Sequence, residues 1–600
     1  MRKEEKTMLS KYQSSTLKRF WKMIQPEHKI FYGLIACSFV GNLLVVILTF
    51  VTAIGIDRLV LLLREYPIRS IPFEAFQEML TGPILILLGL AITSSIFSWL
   101  QERAMASLSE RVTLRVRKEV TKKFKKLPMS FFDNHQVGDI ISRTTTDLNQ
   151  LSQVLLTGMN QFFTSISTIL FAGIMLFYID MKITLVVLVL ILISTFVTKK
   201  FTVINQQKAE ESQRELGILN SKMEEFLSGN LVTKTFNQQE QAEASIRKEN
   251  QKHFEAFKKA QFLNYAVYPV IRFINQLAFI ASGILGAFLV LSGGISLGFL
   301  QAYLQYINQI SEPISTASYV INSIQASLTA LKRIFYILDQ EEEEPEVQQA
   351  KELPQPKGEI NFKNVKFGYS EDKVLMNDVA FSAKPKQTIA VVGPTGAGKT
   401  TLVNLLMRFY EINDGTIEFD RVDIRHFSRK KLRSLFGMVL QNTWLFEGTV
   451  AENIAYGKMD ATREEIVEAA KAAQCDHFIR ALPQGYDTVI SSDNGTLSQG
   501  QQQLLTIARI LLANPPVVIL DEATSSVDTR TERQIQQAME KATEGRTSFV
   551  IAHRLSTIEK ADLILVMKQG NIIEKGTHKE LLSQPTLYRS LYNSQFQSAV

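Results

Sequence analysis

The strongest constraint on this chain is a series of long stretches without one charged side chain. The first, residues 31–56, runs for 26 positions. As a helix it would be about 39 Å long, more than the ~30 Å hydrocarbon layer of a bilayer. Further uncharged stretches cover 79–101, 148–179, 183–198 and 273–311. The last is too long for one crossing and is broken by Ser292, Gly293 and Gly294, which predicts a hairpin of two spans and six spans in all. Buried helices of water-soluble proteins rarely stay uncharged beyond about 18 residues, so a membrane bundle is the expected fold of the first half.

Charge placement orients the bundle. The net charge is +7 and the pI about 9.0, which alone would also suit a nucleic-acid partner. Residues 102–147 hold ten Lys/Arg and 199–272 hold twelve, whereas the connections on the other side hold three (Arg58, Arg64, Arg69), one (Lys182) and none. Positive charge collects on the cytoplasmic side, so both termini and the two long segments are expected there and nucleic acid is disfavoured as a partner. Those segments are expected to extend the spans as long helices, with a reversal near Gly229, Asn230 and Leu231. Residues 1–30, with eight Lys/Arg and three Glu, read as a cytoplasmic amphipathic segment at the interface. Cys37 and Cys475 are too few for a disulfide framework and lie in no metal-ligand spacing.

From Asp339 to Gly358 the composition turns to Glu, Gln and Pro, as in a solvated linker. Beyond it an apolar run, Ile389 to Val392, leads into Gly393, Pro394, Thr395, Gly396, Ala397, Gly398, Lys399 and Thr400, followed by a helical pattern. Strand, G-x-x-x-x-G-K-T loop and helix form a phosphate-binding loop, in which inward N–H groups and the helix dipole meet phosphate. Lys399 is placed to reach the β/γ-phosphates and Thr400 to ligate Mg²⁺. A second apolar strand, Val517 to Leu520, ends in Asp521 and Glu522. Paired carboxylates there can serve Mg²⁺ through Asp521 and orient water through Glu522; the plainer alternative is a helix N-cap.

In this order the chain resembles an ABC exporter half-transporter of the bacterial multidrug type: a polytopic α-helical membrane domain of six spans fused to an α/β P-loop ABC ATPase domain. The expected boundaries are 1–338, a linker 339–358, and 359–600. The resemblance implies ATP and Mg²⁺ as ligands, with Thr401 beside the phosphate loop and Tyr369 as the aromatic against adenine. It also implies Gln441 at the Mg²⁺-sensing loop and Leu497, Ser498, Gln499, Gly500 and Gln501 as the signature offered to a partner's nucleotide. Ser525, Ser526, Val527 and Asp528 would form the loop facing that partner, and His553 would hold the γ-phosphate while Glu522 polarises water. Phe131 to Asp133 with Gly138 to Arg143, and Val232 to Asn237, are similar to the two coupling loops.

One departure stands out: Gln499 replaces the first glycine of the usual L-S-G-G-Q signature, and Ser491, Ser492, Asp493 and Asn494 precede it in place of the usual pattern. A side chain there should disturb the site completed on the partner's P-loop, while this chain's own site matches the consensus. The resemblance therefore implies a heterodimer with a second half-transporter, a homodimer being the alternative. The expected activity is ATP-driven export of hydrophobic or amphipathic compounds across the bacterial cytoplasmic membrane, with lipid flippase and ATP-gated channel or regulator as alternatives. Glu312, followed by Pro313, is the charged position between Phe273 and Leu331 and is expected either to line the path or to sit at the inner membrane edge.

Overall fold

A computed structural model describes residues 16–66, 72–346, 351, 353–370, 373–441, 443–490, 497–521, 528–551 and 555–596. The chain divides into two compact units: one takes residues 1–126 and 135–340, the other 127–134 and 341–600.

The helices of the first part of the chain are α1 (His28–Glu65), α2 (Phe73–Phe124), α3 (Met129–Asp133), α4 (Val137–Thr144), α5 (Thr146–Gln153), α6 (Asn160–Ile179), α7 (Met181–Ser228), α8 (Asn230–Thr235), α9 (Gln239–Leu291) and α10 (Leu297–Leu338). All but α3 belong to the first unit. A π-helical turn, Val154–Met159, joins α5 to α6. The uncharged stretches lie along the long helices. The predicted hairpin between α9 and α10 is present: Gly293 turns the chain at φ +78°, and the Gly294 N–H closes the helix end on Leu289 O at 2.8 Å.

Among the described residues five helical stretches are long and apolar enough to cross a membrane. α10, the sixth long helix, is less apolar because its polar side chains bond to protein rather than meet lipid. Tyr306 donates to Val46 O at 2.8 Å, Gln309 to Thr49 Oγ1 at 2.9 Å, and the Tyr303 hydroxyl lies 3.0 Å from that of Thr184. Buried Ala302, Tyr303, Tyr306 and Ile310 pack there with Val46, Ala53, Ala172, Leu176 and Val187 of α1, α6 and α7. The opposite pattern holds on α2, which exposes Ile84, Leu85, Ile86, Leu88, Ile92 and Ile96, a surface suited to lipid. Asp57 fixes the start of α10 by accepting from Gly298 N at 2.8 Å and Ser296 Oγ at 2.5 Å. Gly298 is required there, since a Cβ would overlap Ala53 O.

α7 and α9 run well past the uncharged stretches, and at the tip between them Leu231, Val232 and Phe236 are exposed. Residues 16–23 are helical with Leu17 and Trp21 outward. Arg19 ties that segment to the end of α10 through Asp339 at 2.5 Å and lies 4.3 Å from the Phe335 ring.

The second unit is built on two sheets. β1 (Ile360–Phe367), β2 (Met376–Ala383), β4 (Asp414–Phe419) and β5 (Val422–Asp423) form an antiparallel sheet in the order β2-β1-β4-β5. The larger sheet runs β12-β11-β3-β10-β9-β6, from β3 (Thr388–Val392), β6 (Phe436–Val439), β9 (Val517–Asp521), β10 (Thr547–Ile551), β11 (Leu563–Lys568) and β12 (Asn571–Gly576). It is parallel except for its β12 edge. Its central strands are buried on both faces, which explains their unbroken apolar sequence. A short ribbon pairs β7 (Gly448–Thr449) with β8 (Val489–Ile490).

Helices α11 (Lys399–Leu406) and α12 (Arg429–Ser434) lie in the β-rich part. α13 (Val450–Ala455), α14 (Arg463–Ala472), α15 (Asp476–Ala481) and α16 (Gln499–Ala513) contribute to a second core, and α17 (Thr529–Thr543) follows β9. The described linker residues are mostly exposed, with Glu343 half-buried, and the segment is anchored as well as solvated. Its backbone and acids are held by the ATPase fold: Arg429 donates to Glu344 O at 2.7 Å, and its N–H to Glu346 Oε1 at 2.8 Å.

Candidate functional site

The parallel register assembles the site. Val391, Ile551 and Asp521 lie side by side at the C-terminal ends of β3, β10 and β9, the edge at which open α/β sheets bind ligands. The chain leaves β3 into the glycine loop and enters α11 at Lys399. Gly396 and Gly398 sit at φ +80° and +97°, a left-handed region that disfavours side chains, and a Cβ on Gly398 would come within 3.1 Å of Gly570 Cα. Gly393 is confined differently, because a Cβ would overlap Met567 O. The β11–β12 turn braces the loop from behind, Gly570 N donating to Ala397 O at 2.9 Å.

Pro394, Thr395, Gly396 and Thr400 are exposed, whereas Ala397 is buried. The Lys399 ammonium donates to Gly393 O at 2.8 Å and Pro394 O at 3.2 Å, so it lies along the loop. Burial lowers its pKa, an effect opposed by the Asp521 carboxylate. A glycine cradle at the start of a helix, with an inward ammonium, fits a nucleotide's phosphates. The Thr400 hydroxyl and Asp521 are hard oxygen donors of the kind Mg²⁺ takes.

Tyr369 is exposed, as a stacking platform must be, and its hydroxyl is 2.9 Å from that of buried Thr401 on α11. Its ring meets the Tyr410 ring edge-on at 5.0 Å. The Tyr410 hydroxyl donates to Asp133 of α3, within the segment 127–134 that belongs to this unit. Gly138 to Arg143 instead lie in α4 of the other unit.

Gln441 is exposed in the loop after β6. The chain beyond it is held by Arg509 of α16, which donates to Trp444 O at 2.8 Å, Asn453 O at 2.6 Å and Asn453 Oδ1 at 2.7 Å. Arg509 is not singled out by the sequence patterns above; the available signal is that it is the one charged residue in the helix Gln499–Ala513.

The signature opens α16. Ser498 is its N-cap, accepting from Gln501 N at 3.3 Å, while the Gln501 side chain accepts from Ser498 N at 2.9 Å. This capping box makes Gln499 the first helical residue, exposed, beside buried Leu497 and Gly500. The backbone at Gln499 is therefore ordinary helix and needs no glycine; the reason for caution at that position is the side chain's bulk alone. Asp528 likewise caps α17, accepting from Arg530 N and Thr531 N at 3.0 Å each, and these N–H groups lower its pKa. Glu522, Ser525, Ser526, Val527, His553 and residues 491–494 lie outside the described residues. In α10, Glu312 is exposed and Pro313 buried within a continuous helix.

Residues 31–314 match the ABC transporter transmembrane region family and 376–525 the ABC transporter family. The chain is 43% identical to a fatty acid ABC transporter ATP-binding/permease protein of Mycobacterium tuberculosis, over 87% of this chain and 82% of that one. It is 32% identical to an ATP-dependent lipid A-core flippase of Syntrophus aciditrophicus over 96% and 94% of the two chains. Identity to a putative multidrug export ATP-binding/permease protein of Bacillus subtilis is 35%, over 81% and 84%. The solved structure of a bacterial Atm1-family ABC exporter with ATP bound superposes with a TM-score of 0.75 at 26% identity, covering 96% of this chain and 99% of that one.

This chain belongs to the ABC exporters. It is a membrane-embedded, ATP-hydrolysing transporter that carries its transmembrane and ATPase domains in one polypeptide, a half-transporter architecture that implies dimerisation.

Proposed function

We propose that the chain exports amphipathic compounds with a substantial apolar part across the bacterial cytoplasmic membrane, with its termini and ATPase domain in the cytoplasm. The observation that carries this reading is the union of the Lys399 cradle with six long helices, five of them apolar enough to span a bilayer. Multidrug efflux and movement of lipid-like cargo are both supported, the second by the relatives named for fatty acid and lipid A-core. The Lys/Arg asymmetry of the connecting segments supports the orientation.

Within the nucleotide site, Lys399 and the loop N–H groups bind phosphates, Tyr369 receives adenine, Glu522 orients the attacking water, and His553 and Gln441 hold the γ-phosphate side. Thr400, Gln441 and Asp521 would hold Mg²⁺, which would supply neutralisation of phosphate charge. Exposed Leu231, Val232 and Phe236 at the tip of the α7–α9 hairpin suit a partner's ATPase domain. Gln499, together with the intact phosphate loop, supports a heterodimer in which Ser498 and the α16 N-terminus complete the partner's site. Ser525 to Asp528 face that partner in the same assembly.

Glu312, exposed on α10, is assigned to the transport path with a preference for cationic amphiphiles. The test is vesicle reconstitution of the chain alone and with a co-expressed second half-transporter, using oleate and the cationic dye Hoechst 33342. The expected result is ATP-dependent movement of at least one probe, with activity rising on co-expression and dye transport reduced by Glu312→Gln. Robust transport by the pure homodimer would overturn the heterodimer. Failure of every pairing to move either probe would overturn amphiphile export.

A further inference from the structure

The far end of the phosphate-binding helix is tied to the linker through a chain of ion pairs in which the cations Arg408 and Arg429 are buried. α11 is eight residues long, about 12 Å, so its two ends are one short rigid element apart. Its C-terminal carbonyl end is capped by Arg433, which donates to Met407 O at 3.3 Å and Arg408 O at 3.1 Å and lies over the Phe409 ring at 4.9 Å. The same guanidinium lies 3.6 Å from the linker carboxylate of Glu343.

Arg429 runs in parallel. Its side chain is only 8% exposed and pairs with Glu343 at 3.5 Å and Glu411 at 2.8 Å, besides its bond to Glu344 O. Glu411 is shared with Arg408, whose buried guanidinium donates to both its oxygens at 2.8 and 3.1 Å. Arg408 itself holds a left-handed backbone, φ +52°, which a non-glycine residue keeps only when its surroundings impose it. Between Arg408 and Glu411 stands Tyr410, bonded to Asp133 and edge-on to Tyr369.

We propose that the Arg408–Glu411 turn is a coupling junction: it joins the acidic linker, through Arg429 and Arg433, and the α3 segment, through Tyr410, to the nucleotide cradle at the other end of α11. The physical reason is the cost of removing a carboxylate from the buried guanidinium of Arg429. If Glu343 withdraws, buried Arg429 keeps Glu411 and depends on it the more, while the one-third exposed Arg433 loses its contact with Glu343, so linker docking and the conformation of the turn change together. Tyr410 and Glu411 are positioning residues in this account; neither is placed against the nucleotide. The proposal rests on the nucleotide-site reading above and adds the route by which that site is felt at the linker.

The test is hydrogen–deuterium exchange of the full-length reconstituted transporter with and without the non-hydrolysable analogue AMP-PNP and Mg²⁺, read on peptides covering 129–134 and 339–346. In the unmodified chain nucleotide should slow exchange in both peptides, by roughly threefold or more. In Glu411→Gln and in Glu343→Gln the analogue should still bind within about twofold of its original affinity while the linker peptide stops responding. Tyr410→Phe should silence the 129–134 peptide and leave the linker response in place. A linker peptide indifferent to nucleotide in the unmodified chain, with binding intact, would overturn the junction. So would an undiminished linker response in both Glu variants. Absence of AMP-PNP binding in the unmodified chain would instead remove the nucleotide-site reading, and the junction with it.

Discussion

Two helix N-termini in the ATPase unit are expected to meet phosphate, and they are built in opposite ways. α11 is entered through Gly396 and Gly398 in left-handed conformations, with Gly393 and Gly570 pressed against backbone that leaves no room for a side chain. α16 is entered through an ordinary capping box, in which Ser498 and Gln501 satisfy the helix end and Gln499 already has helical geometry. The first end is specified by conformation and tolerates almost nothing; the second is specified by side-chain hydrogen bonds and accepts glutamine where the usual signature has glycine. Glycine in the signature is thus not demanded by the fold of this chain, and whatever Gln499 changes is changed at the surface it presents.

Substitutions at the two ends should separate accordingly. Gly398→Ala forces a Cβ against Gly570 at a left-handed φ and should destabilise the ATPase domain by about 3 kcal/mol, read as a lowered midpoint in denaturant unfolding. Lys399→Ala removes the charge-assisted contact with phosphate without breaking the fold, and should weaken ATP binding roughly 10- to 100-fold in equilibrium titration while the unfolding midpoint stays near its original value. At the other end Ser498→Ala should cost only about 1 kcal/mol of stability, the usual loss of an N-cap. Gln499→Gly should change stability by less than about 1 kcal/mol, while raising hydrolysis at the partner's site in the heterodimer. A large destabilisation from Gln499→Gly, or none from Gly398→Ala, would erase the contrast.

The legible parts of this chain are those whose chemistry is local in sequence. An uncharged run of 26 residues, the Ser292–Gly294 break and the glycine loop before Lys399 each announce their structure through neighbours along the chain. α10 was harder to read, because Tyr303, Tyr306 and Gln309 look out of place in a span until Thr184, Val46 and Thr49 are seen to receive them. The anchoring of the linker is hidden in the sequence for a related reason. Glu343, Glu344 and Glu346 resemble any solvated acidic run, and only folding brings Arg429 and Arg433 to them from about 90 residues away. Asp133 and Tyr410 meet across 277 positions, and Arg509 and Trp444 across 65, and neither pair leaves a periodic trace. Asp528 is expected to face a partner, and its capping of α17 is equally legible as an Asp directly before a helical pattern that carries Glu532 in its first turn.

The central claim is that this chain's own nucleotide site hydrolyses ATP to drive export, and the most direct measurement is ATP turnover by the purified transporter carrying Glu522→Gln. The substitution keeps the shape of the side chain and removes its basicity. The account predicts that ATP is still bound and that turnover falls by roughly 10² or more. Turnover at the unmodified rate, with ATP bound normally, would contradict it.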